Sequence, residues 1–326
     1  MSIKPRKYAK RSRKLSRKQL YGIAAAALIV VSLLAVYAFH NQPNNEFKAA
    51  IIDQLSSLEK FRNATFVETA SNTLTTAGYQ VTYYKGSGVT VDFYRALPQN
   101  GFKILIFRVH SALYNGTSAP LDFFTSEPYD HNAHVDDQIA GRLDIAMYSA
   151  TDENRYFGIL SGFVADAMWG NFQNATIILM GCNGLDGQLR SQAMLQALVR
   201  KGAGAVIGWN ASVSVNHTDI ATERLLHHLF VENQTVKDAI TATNNEVEPD
   251  TLAKNELRYY PLYVGDYKIP RGPSKSVATK MGDNYTLSLG NECVLALPLL
   301  PSVKRPRAFG KPRKKTSSGF HSVLKR

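Results

Sequence analysis

Apolar positions follow two rhythms along this chain, short unbroken runs and stretches spaced for one face of a helix, and the two alternate from residue 48 to residue 270. The runs KILIFRV (103–109) and ATIILM (175–180) read as parallel strands buried on both faces, and AVIGWNASV (205–213) as another strand. YQVTYY (79–84) alternates and is aromatic, which also predicts a strand. Between them, ATFVETASNTLTTAG (64–78) predicts a helix stopped at Gly78, and GQLRSQAMLQALVRKGAG (187–204) an amphipathic helix closed by glycines. HTDIATERLLHHLFVEN (217–233) opens a further helical region that continues through QTVKDAITATNNE (234–246). KAAIID (48–53) is too short for its period to decide between strand and helix start. GVTVDFYRALPQNG (88–101) predicts a helical turn or two, SGFVADAMWGNF (161–172) a short helix, and YYPLYVGDY (259–267) a last strand. LDIAMYS (143–149) and YFGIL (156–160) predict an inserted hairpin within an otherwise polar stretch from Ser111 to Arg155. Strands alternating with helices argue for one doubly wound α/β domain with a mostly parallel sheet over residues 48–270.

Ahead of that domain, residues 21–39 (YGIAAAALIVVSLLAVYAF) are apolar throughout, and no charge occurs between Lys18 and Glu46. Nineteen residues at a rise of ~1.5 Å span roughly 28 Å, about the hydrocarbon thickness of a bilayer. The run exceeds the usual apolar core of a secretion signal and is expected to be a retained transmembrane anchor, with cleavage near Val36-Tyr37-Ala38 as the alternative. Nine Lys/Arg in residues 1–20 hold the N-terminus in the cytoplasm. Everything after a spacer at 40–47 is then expected to be extracytoplasmic.

The net charge of +12 invites a nucleic-acid partner until its distribution is read. Residues 1–20 and 304–326 hold nine Lys/Arg each and no acidic residue, which leaves 20 basic against 26 acidic residues in the rest of the chain. Basicity belongs to two tails, with no basic face interleaved with aromatics on folded elements, so no nucleic acid is expected. The C-terminal tail 304–326 is expected to be disordered, after an extension at 271–303, and is a candidate for contact with an anionic surface.

Asn-x-Ser/Thr acceptors begin at Asn63, Asn115, Asn174, Asn210, Asn216, Asn233 and Asn284, where composition alone gives roughly two or three. The excess agrees with an external location. The two cysteines, Cys182 and Cys293, are there open to a structural disulfide.

Candidate chemistry sits at two strand endings. FKILIFRVHSAL places His110 after one apolar run, and ATIILMGCNGLDGQ places Cys182 after another. In open α/β sheets ligands gather beyond the carboxyl ends of the strands, so the two residues can meet across 72 positions. A thiolate nucleophile with a His proton shuttle is the leading reading; a disulfide or an inert thiol for Cys182, and a core histidine for His110, stay open. Asp130, His131, His134, Asp136 and Asp137 form a cluster that suits either a divalent cation or a solvated loop, the loop being preferred. His227 and His228 share a helix, one expected inside and one in water. Neither a G-x-S-x-G elbow nor a Walker sequence occurs, which excludes those two chemistries, and no cofactor or metal is expected.

An apolar strand ending in His and a small residue, followed by an apolar strand ending in a small residue and Cys, resembles the clan CD cysteine peptidases, the group of caspases, legumain, gingipains and CHAT-domain proteases. The segment GAGAVIGWNASVSVNHTDIATERLLHHLFVENQTVKDAI (202–240) resembles the stretch after the nucleophile in the CHAT-type members. The likeness covers roughly residues 48–265. Where that family commonly has Gly after the His, Ser111 stands here, and Gly181 replaces its common Ala or Ser. The resemblance implies a caspase-like three-layer α/β/α sandwich and a cysteine endopeptidase acting on a peptide or protein, which the expected segment 21–39 would anchor to a membrane. His110 would be its general acid/base, Cys182 its nucleophile, and the N–H groups near Ser111 and Cys182 its oxyanion donors. A catalytically inactive surface or interaction module of the same fold, and a thiol acyltransferase or transpeptidase using the same dyad, are the alternatives.

Overall fold

The computed structural model describes residues 30–32, 47–113, 120–149, 152–187, 189–273, 278–281, 284–289 and 292–293. Among them no helix is long and apolar enough to cross a membrane. Of the anchor expected at 21–39 only 30–32 are described; the spacer up to residue 46, both basic tails and the acceptor at Asn115 lie outside the described residues.

The continuous apolar runs become strands buried almost from end to end: β1 (Lys48–Asp53), β3 (Ile104–Arg108), β8 (Ala175–Leu179) and β9 (Ala203–Trp209). With β2 (Gln80–Lys85) and β10 (Leu257–Tyr260) they form one six-stranded sheet in the order β2-β1-β3-β8-β9-β10, parallel throughout except for β10. KAAIID, undecided by its period, is thus a central strand. The expected last strand is displaced: the ladder runs over LRYY, and Pro261, which has no N–H to give, is followed by a 3-10 turn at Leu262–Val264.

Alternate residues of the strands feed two cores. Ala50, Ile52, Leu105, Phe107, Ile177 and Leu179 face α2 (Val91–Ala96), a π-helical turn at Phe163–Ala167 and α4 (Leu189–Arg200). Ala49, Ile51, Ile104, Ile106 and Ile178 face α1 (Ala64–Thr76), α5 (Val215–Leu226) and α6 (Val236–Glu246). Helices therefore cover both faces of a mostly parallel sheet, as the alternation predicts. Their ends follow the sequence: Asn63, Ser214 and Thr235 cap α1, α5 and α6 through their side chains, and Gly78 takes φ +90° beyond α1.

The stretch 111–155 is more structured than its polarity suggests. β4 (Ser111–Leu113), β5 (Leu121–Pro128), β6 (Leu143–Ala146) and β7 (Tyr156–Ile159) build a second, antiparallel sheet in the order β4-β5-β7-β6, with α3 (Val135–Ile139) between β5 and β6. The expected hairpin is β6–β7. The strands missed in this stretch are the short β4 and the longer β5, whose Leu121, Phe123 and Phe124 are buried while its second half is polar. Inside this sheet, burial raises the Asp122 carboxyl to about 7, although Ala112 N–H donates to it at 3.1 Å. A folded-state value above the ordinary one means stability present below pH ~4 and lost as pH rises towards 7. Asp122→Asn is expected to abolish that decline. It should be the more stable protein at pH 8 by about 2–4 kcal/mol, because a neutral amide is spared the desolvation of a buried carboxylate. Urea unfolding of both proteins at pH 5 and pH 8 checks it, and an equal pH dependence in the two refutes it.

The chain divides into a unit up to Ser274 and another from Lys275. In the latter, β11 (Ala278–Met281), β12 (Asn284–Leu289) and β13 (Glu292–Cys293) form an antiparallel three-stranded sheet within the expected C-terminal extension.

Candidate active site

The parallel register pairs Phe107 of β3 with Leu179 of β8, and Met180 N–H donates to Phe107 O at 3.0 Å, so the chain beyond both strands emerges side by side. Ser111 Oγ then donates to Cys182 O at 2.7 Å and ties the two exits together. Their approach leaves no room at Gly181, where a Cβ would lie 2.3 Å from Ser111 Oγ and 2.7 Å from Val109 O. The Ala or Ser common at that position in the resembling family would not fit here. Ser111 itself is buried and lies opposite Phe123 in the β4–β5 ladder.

At these adjacent exits the two side chains of the expected dyad have different neighbours. The His110 ring meets Phe124 edge-on at 4.5 Å and lies 5.3 Å from Tyr148. The backbone N–H of His110 donates to Gln54 Oε1 at 3.1 Å, and Gln54 Nε2 donates in turn to Tyr148 Oη at 2.5 Å. Cys182 is a free thiol, not half of a disulfide; its Sγ lies 3.6 Å from Val213 O and accepts from Val213 N–H at 3.4 Å. The thiol is therefore engaged with the Val213 backbone and not with the imidazole. Burial pushes its pKa up, and Asp250 adds to the rise, while the Val213 N–H opposes it.

Burial also lowers the His110 imidazole to about 4, so the ring is neutral in the folded protein. Stability tied to it is complete above pH ~6.5 and is lost as pH falls towards 4. His110→Phe keeps a ring against Phe124 and Tyr148, and is expected to escape a loss of about 3 kcal/mol that the parent suffers between those pH values. The contribution of Asp122 is common to both proteins and cancels in the difference. Parallel stability curves would contradict a buried neutral imidazole.

Sequence reasoning missed the group directly behind the dyad. Arg108, two residues before His110, is fully buried and ion-paired to two carboxylates. Its Nη1 donates to Asp53 Oδ1, and its Nε and Nη2 donate to Asp219 Oδ1 and Oδ2, all at 2.8 Å; Nη2 also reaches Phe61 O at 2.8 Å. Tyr83 Oη donates to Asp53, and Asn63 Nδ2 to Asp219, each at 2.9 Å. Burial works against the guanidinium charge, but Asp219 and Asp53 hold its pKa above the ordinary value. One charged residue inside the otherwise apolar run ILIFRV was the available signal.

The other constellations separate. Asp137 is pinned by Arg95 at 2.7 Å and Arg142 at 3.2 Å, His134 by Glu127 at 2.7 Å, and Asp130 and His131 are exposed; among the described residues no group is arranged to hold a metal ion. His228 is buried between Glu232 and Glu246, whereas His227 is half exposed, as the helix pattern predicts. Of the glycan acceptors, Asn63 is held by Asp219 and Asn210 accepts from Glu256 N–H at 2.8 Å, while Asn174, Asn216 and Asn233 are exposed. No protein-family model matches this sequence, and no curated protein does.

Proposed function

We propose that this chain is a membrane-anchored, extracytoplasmic cysteine endopeptidase of the caspase-like class, with Cys182 as nucleophile and His110 as general acid/base. The observation that carries this reading is the emergence of His110 and Cys182 from adjacent parallel strands, held together by the Ser111 hydroxyl at 2.7 Å. In the reaction the thiol loses its proton to His110, and sulfur attacks the scissile carbonyl carbon. The C–N bond breaks, the imidazolium returns the proton to the leaving amine, and water hydrolyses the thioester to regenerate the thiol. The backbone N–H groups of Ser111 and Cys182 are the oxyanion donors in this reading. Substrate must turn the imidazole away from Phe124 and Tyr148 and release the thiol from Val213; catalytic hydrogen bonds often close only in the substrate complex.

A second reading, a silent surface module of the same architecture, draws on the engagement of the thiol with Val213 rather than with His110 and on the upward displacement of the thiol pKa. Labelling with electrophilic peptide probes that differ in the residue before the warhead separates the two, with Cys182→Ala and His110→Ala as comparisons. Labelling that survives in Cys182→Ala refutes the nucleophile.

A further inference from the structure

Because β1, β3, β8 and β9 run parallel, one edge of the main sheet collects their amino ends and the opposite edge carries His110 and Cys182, roughly 16 Å away for a five-residue strand. The turn after β10 lies at the amino-end edge. Tyr263 and Tyr267 line a cavity of about 210 Å³ with Asn174 and Gly204, which flank the starts of β8 and β9. Tyr267 also lines a neighbouring cavity of about 140 Å³ with Phe47, the residue that leads into β1.

That turn is held firmly and yet displays apolar side chains to the outside. Val264 is buried, Lys237 N–H donates to Gly265 O and Val236 N–H to Tyr267 O, both at 2.9 Å. Leu262, Tyr263 and Tyr267 are nevertheless 80%, 79% and 42% exposed. Fixed, exposed Leu and Tyr side chains have an apolar body and, in Tyr, a polar tip, the combination that seats at a bilayer surface. Exposed Lys268 and Arg271 beside them have apolar stems and charged tips that can reach lipid phosphates, against one acidic residue, Asp266. The chain enters this same edge at Phe47, eight residues after Phe39 closes the apolar segment, so the edge lies within about 28 Å of the end of that segment. It leaves here too, where Gly272 N–H donates to Ala77 O at 2.8 Å.

We propose that Leu262, Tyr263 and Tyr267 rest in the headgroup layer of the membrane that anchors this chain, so that the edge carrying His110 and Cys182 faces away from it. The proposal builds on the anchoring of residues 21–39 stated under the proposed function, but not on the peptidase chemistry.

The test uses the full chain with Cys182→Ser and Cys293→Ser, reconstituted in phosphatidylcholine–phosphatidylglycerol vesicles and carrying one nitroxide label at Tyr263→Cys or at Leu252→Cys. Leu252 is 60% exposed and belongs to the opposite edge, next to Asp250, which accepts from Ser214 N–H at the start of α5. Collision with a water-soluble nickel chelate is expected to be roughly five-fold or more slower at 263 than at 252, and collision with oxygen faster. Vesicle flotation distinguishes the two ways to fail. A chain that does not float overturns both anchor and docking; one that floats with equal nickel access at 263 and 252 overturns docking alone. Shielding at 263 from nickel without a rise in oxygen collision assigns the patch to a protein surface and also overturns the proposal. So does a glycan found at Asn174 or Asn233, the exposed acceptors at this edge.

Discussion

Arg108→Met is expected to destabilise the domain by about 3–5 kcal/mol, which for a protein of ordinary stability approaches global unfolding. Methionine fills much of the same volume, so the loss does not come from a cavity. It comes from Asp53 and Asp219, which are 0% and 3% exposed and would lose their shared cation. Uncompensated buried carboxylates either bear the full cost of desolvation or take up protons, so the variant should recover part of its stability as the pH falls towards 5. Adding Asp53→Asn and Asp219→Asn to Arg108→Met should also recover part of it, because a neutral site of similar shape no longer buries an unpaired charge. Arg108→Lys is expected to fall between, since an ammonium cannot match the fork that binds both oxygens of Asp219 while reaching Asp53. Urea unfolding of the parent and the three variants at pH 5 and pH 7.5 measures this. A single-variant loss under about 1 kcal/mol would mean that the cluster is not what holds the strand ends in place.

The second large effect concerns the thiol. In the peptidase reading, Cys182→Ala brings probe labelling to background, a loss of at least about 100-fold, and His110→Ala lowers it by about 10²–10⁴ through loss of proton transfer. The resting thiol adds a condition. Burial lifts its pKa above the ordinary value, so less of it is thiolate at neutral pH than of an exposed cysteine. A simple alkylating agent should therefore react slowly at pH 7 and faster through the alkaline range. A peptide probe that turns His110 towards sulfur should react at neutral pH far faster than the simple agent. Equal neutral rates for both reagents would favour the silent module, in which Val213 permanently occupies the sulfur.

Strand identity was legible wherever an apolar run was unbroken, because burial on both faces removes polar residues from nearly every position. β5 escaped because its buried half, Leu121 to Phe124, precedes a polar half that belongs to the sheet rim. The adjacency of His110 and Cys182 could be anticipated from their places after two such runs. The direction of their side chains could not: it depends on Phe124, Tyr148 and Val213, which arrive from the second sheet and its loops and from a loop beyond β9. Arg108 was visible as a letter but not as a partner, since Asp53 and Asp219 lie 55 and 111 positions away. The one glycine that decides the site, Gly181, has a meaning only once Ser111 is seen to fill the space of its missing side chain.

The pairing of β3 with β8 brings Ile104 against Thr176 across an interval occupied by the whole second sheet. Contacts so distant along the chain form late, because the entropy of closing the intervening loop is lost before the ladder contributes any stability. The β6–β7 hairpin is local and can form well before it. In a partly folded chain sulfur and imidazole are therefore expected to be apart, and to become neighbours when β3 and β8 pair. For a thiol hydrolase, this order of assembly would couple the onset of reactivity to completion of the native sheet, without any separate inhibitory segment.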